Sequence, residues 1–151
     1  MELILNYFLP CLWAFCACIA FGIVFNIHGK GILLCGFGGG LGWLVYLLSL
    51  ELFGGDILSA FLAAMVIGTF SEIMARVRHC PVTGYLQVAL LPLVPGAGVY
   101  HAMQYCVNGY TSLFLETLLH TIGFAAALSV GAMLATSILR SIRPRARWGG
   151  R

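Results

Sequence analysis

Five long apolar segments, separated by short polar turns, make up most of this chain. Each is close to the roughly 20 residues that a helix needs to cross the hydrocarbon of a bilayer. They cover residues 3–25, 32–53, 57–78, 83–107 and 113–139. The chain is 61% hydrophobic and 9% charged, whereas about a quarter of the residues in a soluble domain are charged. The sequence therefore predicts an all-α, polytopic membrane protein with five transmembrane helices.

The basic residues predict how these helices are oriented. They follow the first, third and fifth segments, as Lys30, then Arg76, Arg78 and His79, then Arg140, Arg143, Arg145, Arg147 and Arg151. Because basic residues favour the cytoplasmic side, we expect the N-terminus outside and the C-terminus in the cytoplasm. We expect a transmembrane domain at residues 1–141 and a basic cytoplasmic tail at 142–151, in the plasma or inner membrane. The net charge of +3 then reflects topology and contact with membrane lipid rather than nucleic-acid binding.

Two further features of the sequence argue against a metal site, a disulfide, a cofactor and cleavage of a signal peptide. The six cysteines show no CxxC spacing and fall mostly in apolar segments, where cysteine acts as a small apolar residue. We therefore expect no metal site, no disulfide and no cofactor. The first segment lacks the basic region and the small-residue cleavage site of a secretory signal, so we expect it to be retained as a helix.

The fourth segment contains a stretch, residues 90–100, that should interrupt its helix. Pro92 and Pro95 have no amide hydrogen, so a regular helix would leave the carbonyls of Val88 and Leu91 unpaired. Gly96 then allows the backbone to leave helical geometry. In lipid such a break persists only where protein or a water-filled cavity satisfies the freed groups. It could build a substrate site near the membrane midplane, or it could be a kink that only shapes packing.

Glycines are dense at the start of the second segment, over residues 36–42. Their spacing places Gly36 with Gly40, and Gly38 with Gly42, on common faces of a helix. Small residues spaced in this way favour close helix–helix contact, and we expect packing rather than exposure to a substrate. Asp56 follows two glycines and is predicted to be the N-cap of the third helix.

Two pairs of polar residues have the i, i+4 spacing that lets side chains meet on a helix. Glu72 and Arg76 could anchor the third helix at the interface, or could form a charged gate or a proton-linked group. Glu116 and His120 could relay a proton, since histidine titrates near neutral pH, or could form a hydrogen-bonded pair facing a neighbouring helix.

Further polar side chains that could line a cavity are Asn26, Gln87, Tyr100, His101 and Gln104. Tyr100 could equally be an interfacial anchor. We find no nucleophile elbow, no H-E-x-x-H and no phosphate-binding loop. The sequence therefore predicts that the protein is not an enzyme.

Four motifs occur in an order and spacing that resemble a known family. They are F-G-I-V-F-N at residues 21–26, G-T-F-S-E-I-M-A-R at 68–76, P-L-V-P-G-A-G-V-Y at 92–100 and E-T-L-L at 116–119. Over nearly its whole length, the chain resembles the C-terminal half of the threonine/serine exporter family. In that family this half can be a separate small protein that works beside a second membrane subunit.

The resemblance implies proton-driven export of small amino acids, although some similar split-subunit members are associated with dicarboxylates such as succinate. The motif residues that it places on the substrate or ion pathway are Pro92, Pro95, Gly96, Tyr100, Glu72, Arg76 and Glu116, and Asn26 is added as a polar side chain that could line a cavity. His120 joins them on the strength of its spacing alone. Two units with odd numbers of spans and opposite orientations would form an inverted pair with the site between them.

Three hypotheses follow from the sequence. The first is one subunit of a two-component exporter, with the broken helix lining the substrate site and Glu72 or Glu116 coupling to protons. The second is a non-transporting subunit that stabilises a membrane complex, and the third is a homo-oligomeric channel.

Overall fold

In a computed structural model, described over residues 2–78 and 81–142, the chain forms six α-helices and no strand. A single 3-10 turn covers Leu91–Leu93, and the helices are α1 (Glu2–Val24), α2 (Lys30–Phe53), α3 (Asp56–Arg78), α4 (Val82–Leu90), α5 (Gly96–Val107) and α6 (Thr111–Ile142). Helices α1, α2, α3 and α6 are each long and apolar enough to cross a membrane. Together, α4 and α5 supply a fifth span if the bent pair is one crossing. The predicted all-α fold is confirmed, and the orientation stays a prediction.

The region after α6 lies outside the described residues, as does His79. The predicted tail at residues 142–151 is therefore not described beyond Ile142. Arg140, which the sequence groups with the tail arginines, belongs to α6 and lies two residues before its end.

Helix α3 is central to the packing, because it contacts α2, α4 and α6. Helices α1 and α2, and then α2 and α3, pack against one another, and α4 packs against both α2 and α3. Helix α6 lies along α3, because Asp56 is next to His120 at one end and Arg76 is next to Leu139 at the other. The two helices are therefore parallel. Helix α5 packs chiefly against α6 and buries only Ala102 among its residues.

The centre of the bundle is built on small residues of α3. Ala60, Ala63 and Ala64 are completely buried together with Ile67. They pack against apolar residues of the broken span and of α6, namely Ala89, Leu93, Phe124 and Leu128. A face of alanines lets neighbouring helices approach closely, which is how membrane helices gain packing contacts without help from the hydrophobic effect.

The glycines of α2 fit against neighbours on two sides, which confirms the packing prediction. An added Cβ at Gly36 would lie 2.8 Å from the Phe15 ring on α1, and one at Gly38 would lie 3.1 Å from the Phe70 ring on α3. At Gly42 it would overlap Ile67 of α3. Glycine is thus required on both faces of this helix for α1 and α3 to lie so close.

The turn between α2 and α3 differs from the sequence prediction. The Gly55 carbonyl accepts the first helical bond of α3, from the Ser59 amide at 3.0 Å, so Gly55 occupies the N-cap position. Asp56 is the first residue of α3, and the prediction that it is the N-cap is wrong. Its carboxylate instead contacts Tyr46 and His120.

Close packing of α3 on α6 predicts that Gly131 tolerates no side chain. A Cβ there would lie 2.6 Å from the backbone oxygen of Phe61. A backbone atom, unlike the end of a side chain, cannot move away by changing rotamer. We expect Gly131→Ala to lower the free energy of unfolding by about 1–3 kcal/mol, measured by unfolding in mixed micelles.

Gly123→Ala on the same helix is the matched control, because both changes add similar helix propensity. Its Cβ would meet only the end of the Ile57 side chain, at 3.2 Å, and that side chain is 43% exposed. Equal stability of the two variants would contradict the packing described for α3 and α6.

Candidate functional site

The fourth span breaks where the prolines predict. Helix α4 ends at Leu90, the 3-10 turn follows, and α5 begins at Gly96 with Pro95 in the N-cap position. The two halves of the span are bent by 51° relative to each other. The predicted break at Pro92, Pro95 and Gly96 is confirmed.

The freed carbonyls find partners inside the chain. The Val88 carbonyl accepts a hydrogen bond from the Leu91 amide and another, at 3.2 Å, from the buried thiol of Cys18 on α1. The Leu91 carbonyl accepts the Val94 amide at 3.2 Å. A second chain is therefore not needed to satisfy these two carbonyls, and whether a partner completes a cavity at the break stays a prediction.

The start of α5 lies open beyond the break. Gly96 is exposed, and outside its own turn of helix no atom lies within 4 Å of the position a Cβ would take. Tyr100 is 66% exposed, and His101 contacts only its helix neighbour Gln104 in the described hydrogen bonds, at 3.4 Å. Polar side chains on this face of α5 point away from the bundle. Gln87 on α4 is also exposed, so these residues do not share a cavity within the chain.

Glu72 is the most deeply buried charged residue of the described core. It is 5% exposed, and its Oε1 lies 3.1 Å from Arg76 Nη2, which confirms the predicted pair. The same guanidinium nitrogen donates to the Leu139 carbonyl on α6 at 2.7 Å. Arg140, also on α6, places its Nε 3.8 Å from Oε1. The Glu72 carboxylate is thus buried between α3 and α6, whereas the Arg76 side chain remains 36% exposed.

Two polar atoms near this pair have no hydrogen-bond partner among the described residues. They are Oε2 of Glu72 and Oγ of Ser71, and both are buried. Unpaired buried polar atoms are rare in folded proteins, and each calls for an explanation such as a bound water, an ion or a functional role.

The second predicted pair does not form. Glu116 and His120 are both exposed, and His120 turns toward α3, where its Nε2 lies 3.5 Å from Asp56 Oδ2. Tyr46 of α2 donates to the other oxygen of Asp56, also at 3.5 Å. Asp56 and His120 line an open groove of about 730 Å³. Sequence reasoning missed Asp56 as a partner of His120, because the two residues are far apart in the chain.

Asn26 has a structural role at the end of α1. Its φ of 59° is left-handed, its amide bonds the Ile23 carbonyl, and the next amide, of Ile27, bonds the Gly22 carbonyl. This is the Schellman arrangement that ends many helices, in which asparagine can replace glycine. The side chain is exposed, so its assignment to a pathway stays a prediction.

The unequal contacts of the two arginines predict unequal effects on stability. Removal of Arg76 would leave Glu72 without its short hydrogen bond and the Leu139 carbonyl without its donor. We expect Arg76→Ala to lower the free energy of unfolding by about 2–3 kcal/mol, as measured by denaturation in detergent. We expect a smaller loss for Arg140→Ala, since Arg140 is 64% exposed and more distant; the opposite ranking would show that Arg140 is the main partner of Glu72.

Comparison with known proteins completes the description of this site. A sequence profile described as "Threonine/Serine exporter, ThrE" matches residues 10–138. Searches of curated proteins and of solved structures give no significant match. The matched range contains the broken span, the pair of Glu72 with Arg76, and the groove at Asp56. Because the profile covers most of the chain, this protein belongs to the threonine/serine exporter family.

Proposed function

We propose that this chain is one membrane subunit of a proton-coupled exporter for threonine and serine. Membership of an exporter family supports a protein that lies in lipid and exports a small molecule. It also implies a transporter rather than an enzyme. The single observation that carries the coupling is the carboxylate of Glu72, which is buried between α3 and α6 with one oxygen unpaired. Ionisable residues inside transmembrane helices commonly carry protons or line the path of a substrate.

The broken span supports a substrate path beside α5. Backbone at the break leaves the first turn of α5 open near Gly96, and the start of a helix favours negative charge such as a carboxylate. Tyr100 lies one turn further along the same helix. Glu116 on α6 remains an alternative group for proton coupling. It is exposed near the start of α6, at the opposite end of the contact between α3 and α6 from Glu72.

A second membrane subunit would cover the polar face of α5. His101 and Gln104 are exposed there, and polar groups within a membrane span normally face protein or water rather than lipid. The resemblance to the C-terminal half of the family points to a subunit that resembles the N-terminal half, although a second copy of this chain could cover the same face. Five spans with the N-terminus outside would suit an inverted pair in the cell membrane.

A specific observation also favours a dicarboxylate such as succinate as the substrate. Arg76 and Arg140 share the single carboxylate of Glu72, which leaves a positive excess that could bind an anion. Transport assays must therefore compare succinate with the amino acids.

The test is transport into everted membrane vesicles from cells that lack the chromosomal gene and carry it on a plasmid. We expect an imposed proton gradient to drive uptake of labelled threonine and serine. We expect Pro95→Ala and Glu72→Gln to abolish uptake while the protein still reaches the membrane. Loss of uptake in Glu116→Gln but not in Glu72→Gln would identify Glu116 as the coupling group. Pro81→Ala, outside the break, is the matched control and should transport normally.

Other outcomes separate the alternatives. Uptake of succinate alone would identify a dicarboxylate exporter. Uptake that ignores the proton gradient when the chain is reconstituted alone would indicate a channel. Loss of transport only in variants that fail to assemble would indicate a structural subunit, and normal export by both variants would contradict the proposed site.

A further inference from the structure

The two oxygens of Glu72 have different surroundings. Oε1 accepts from Arg76 at 3.1 Å and lies near Arg140, whereas Oε2 is buried and has no donor among the described residues. An ionised carboxylate only accepts hydrogen bonds, so Oε2 requires either a proton of its own or a donor from another molecule.

The neighbouring hydroxyl is also unused. Several other hydroxyls of α3 and α6 donate to the carbonyl four residues earlier, as Thr69 does to Met65 and Thr121 does to Thr117. Ser71 Oγ is completely buried but has no such bond. Two successive residues of α3 thus carry a buried polar atom without a partner among the described residues, an arrangement that suits the binding of a polar ligand.

We propose that Oε2 of Glu72 is a site for which a proton and the ammonium group of an amino-acid substrate compete. The inference rests on the proposed export of amino acids and adds the residue at which substrate and proton exchange. Both ligands need the same lone pairs, so each excludes the other. Exchange then needs no further coupling group, because loading the ammonium requires Glu72 to have lost its proton.

Arg140 supplies the complementary half of the site. Its Nε is 3.8 Å from Oε1, too far for a hydrogen bond, and its side chain is 64% exposed. Its guanidinium is therefore available for the carboxylate of the same zwitterion. Arg76 is less available, since it already bonds both Glu72 and the Leu139 carbonyl.

Entry to Oε2 requires the end of α6 to move. The contacts that hold it over Glu72 are the bond from Arg76 to the Leu139 carbonyl and the long contact of Arg140. Other ionisable groups at this end, on α3 and the helices packed against it, are Lys30, Cys35, Arg78 and Tyr85. A movement of the last turn of α6 would open the site to the end of the bundle where Lys30 and Arg78 lie.

The proposal makes opposite predictions for the two classes of substrate. A zwitterion binds Glu72 when it is ionised, so its apparent affinity should rise with pH. Succinate has no ammonium group, so its binding to the two arginines should strengthen as pH falls and Glu72 takes up a proton. The sign of the pH dependence therefore tests the site independently of whether export occurs.

The experiment is counterflow of labelled threonine in vesicles of the same membranes, without an imposed gradient, over a range of pH. We expect the apparent affinity for threonine to fall by up to about tenfold per pH unit on the acidic side, as for a competing proton. Threonine amide should compete with threonine, whereas N-acetylthreonine, which has no ammonium group, should compete at least about tenfold less well. Glu72→Gln should lose both threonine counterflow and its pH dependence, and the exposed Glu51→Gln on α2 should keep both.

Three results would overturn the proposal while leaving an exporter in place. They are competition by N-acetylthreonine equal to that of threonine, threonine counterflow that strengthens as pH falls, and threonine counterflow that persists in Glu72→Gln. If Glu72→Gln does not reach the membrane, the pH series and the two threonine derivatives on the unmodified protein decide the matter. If the unmodified protein moves none of these compounds, the proposed function fails, and this inference fails with it.

Discussion

Close parallel contact between α3 and α6 is the constraint on which the polar groups of the candidate site depend. Gly68 and Gly131 leave no room for a side chain between the two helices, since an added Cβ would lie 2.8 Å from Ala135 and 2.6 Å from the Phe61 carbonyl. Because the helices touch along their length, polar residues at both ends meet across the seam. Glu72 meets Arg140 at one end and Asp56 meets His120 at the other. At 1.5 Å per residue these two acids are about 24 Å apart along α3.

The two halves of the broken span pack against different helices of the bundle. Helix α4 packs against α2 and α3, whereas α5 leaves the bundle and packs on α6. The chain satisfies the break internally, through a 3-10 turn and the thiol of Cys18. The backbone carbonyls freed by the two prolines therefore already have hydrogen-bond partners, and the exposed start of α5 is available to a substrate or a second subunit.

The sequence predicted what depends on local chemistry. Length and hydropathy indicated the spans, the missing amides of Pro92 and Pro95 indicated the break, and the i, i+4 spacing indicated the pair of Glu72 with Arg76. The contacts it missed join different helices. Cys18 and Val88 are 70 positions apart, and no local pattern reveals that a thiol will reach that carbonyl. For the same reason Arg140 was grouped with a tail, and His120 was paired with Glu116 on its own helix rather than with Asp56.

The central claim is that Glu72 exchanges a proton for substrate within the seam between α3 and α6. Infrared difference spectroscopy on membranes that contain the exporter tests this directly, at a pH acidic enough to protonate the carboxyl group. We expect threonine to remove one carbonyl band of a protonated carboxylic acid, and we expect that change to be missing in Glu72→Gln. A threonine-induced spectrum with no change in protonated carboxyl bands, or with the same change in Glu72→Gln, would contradict the account.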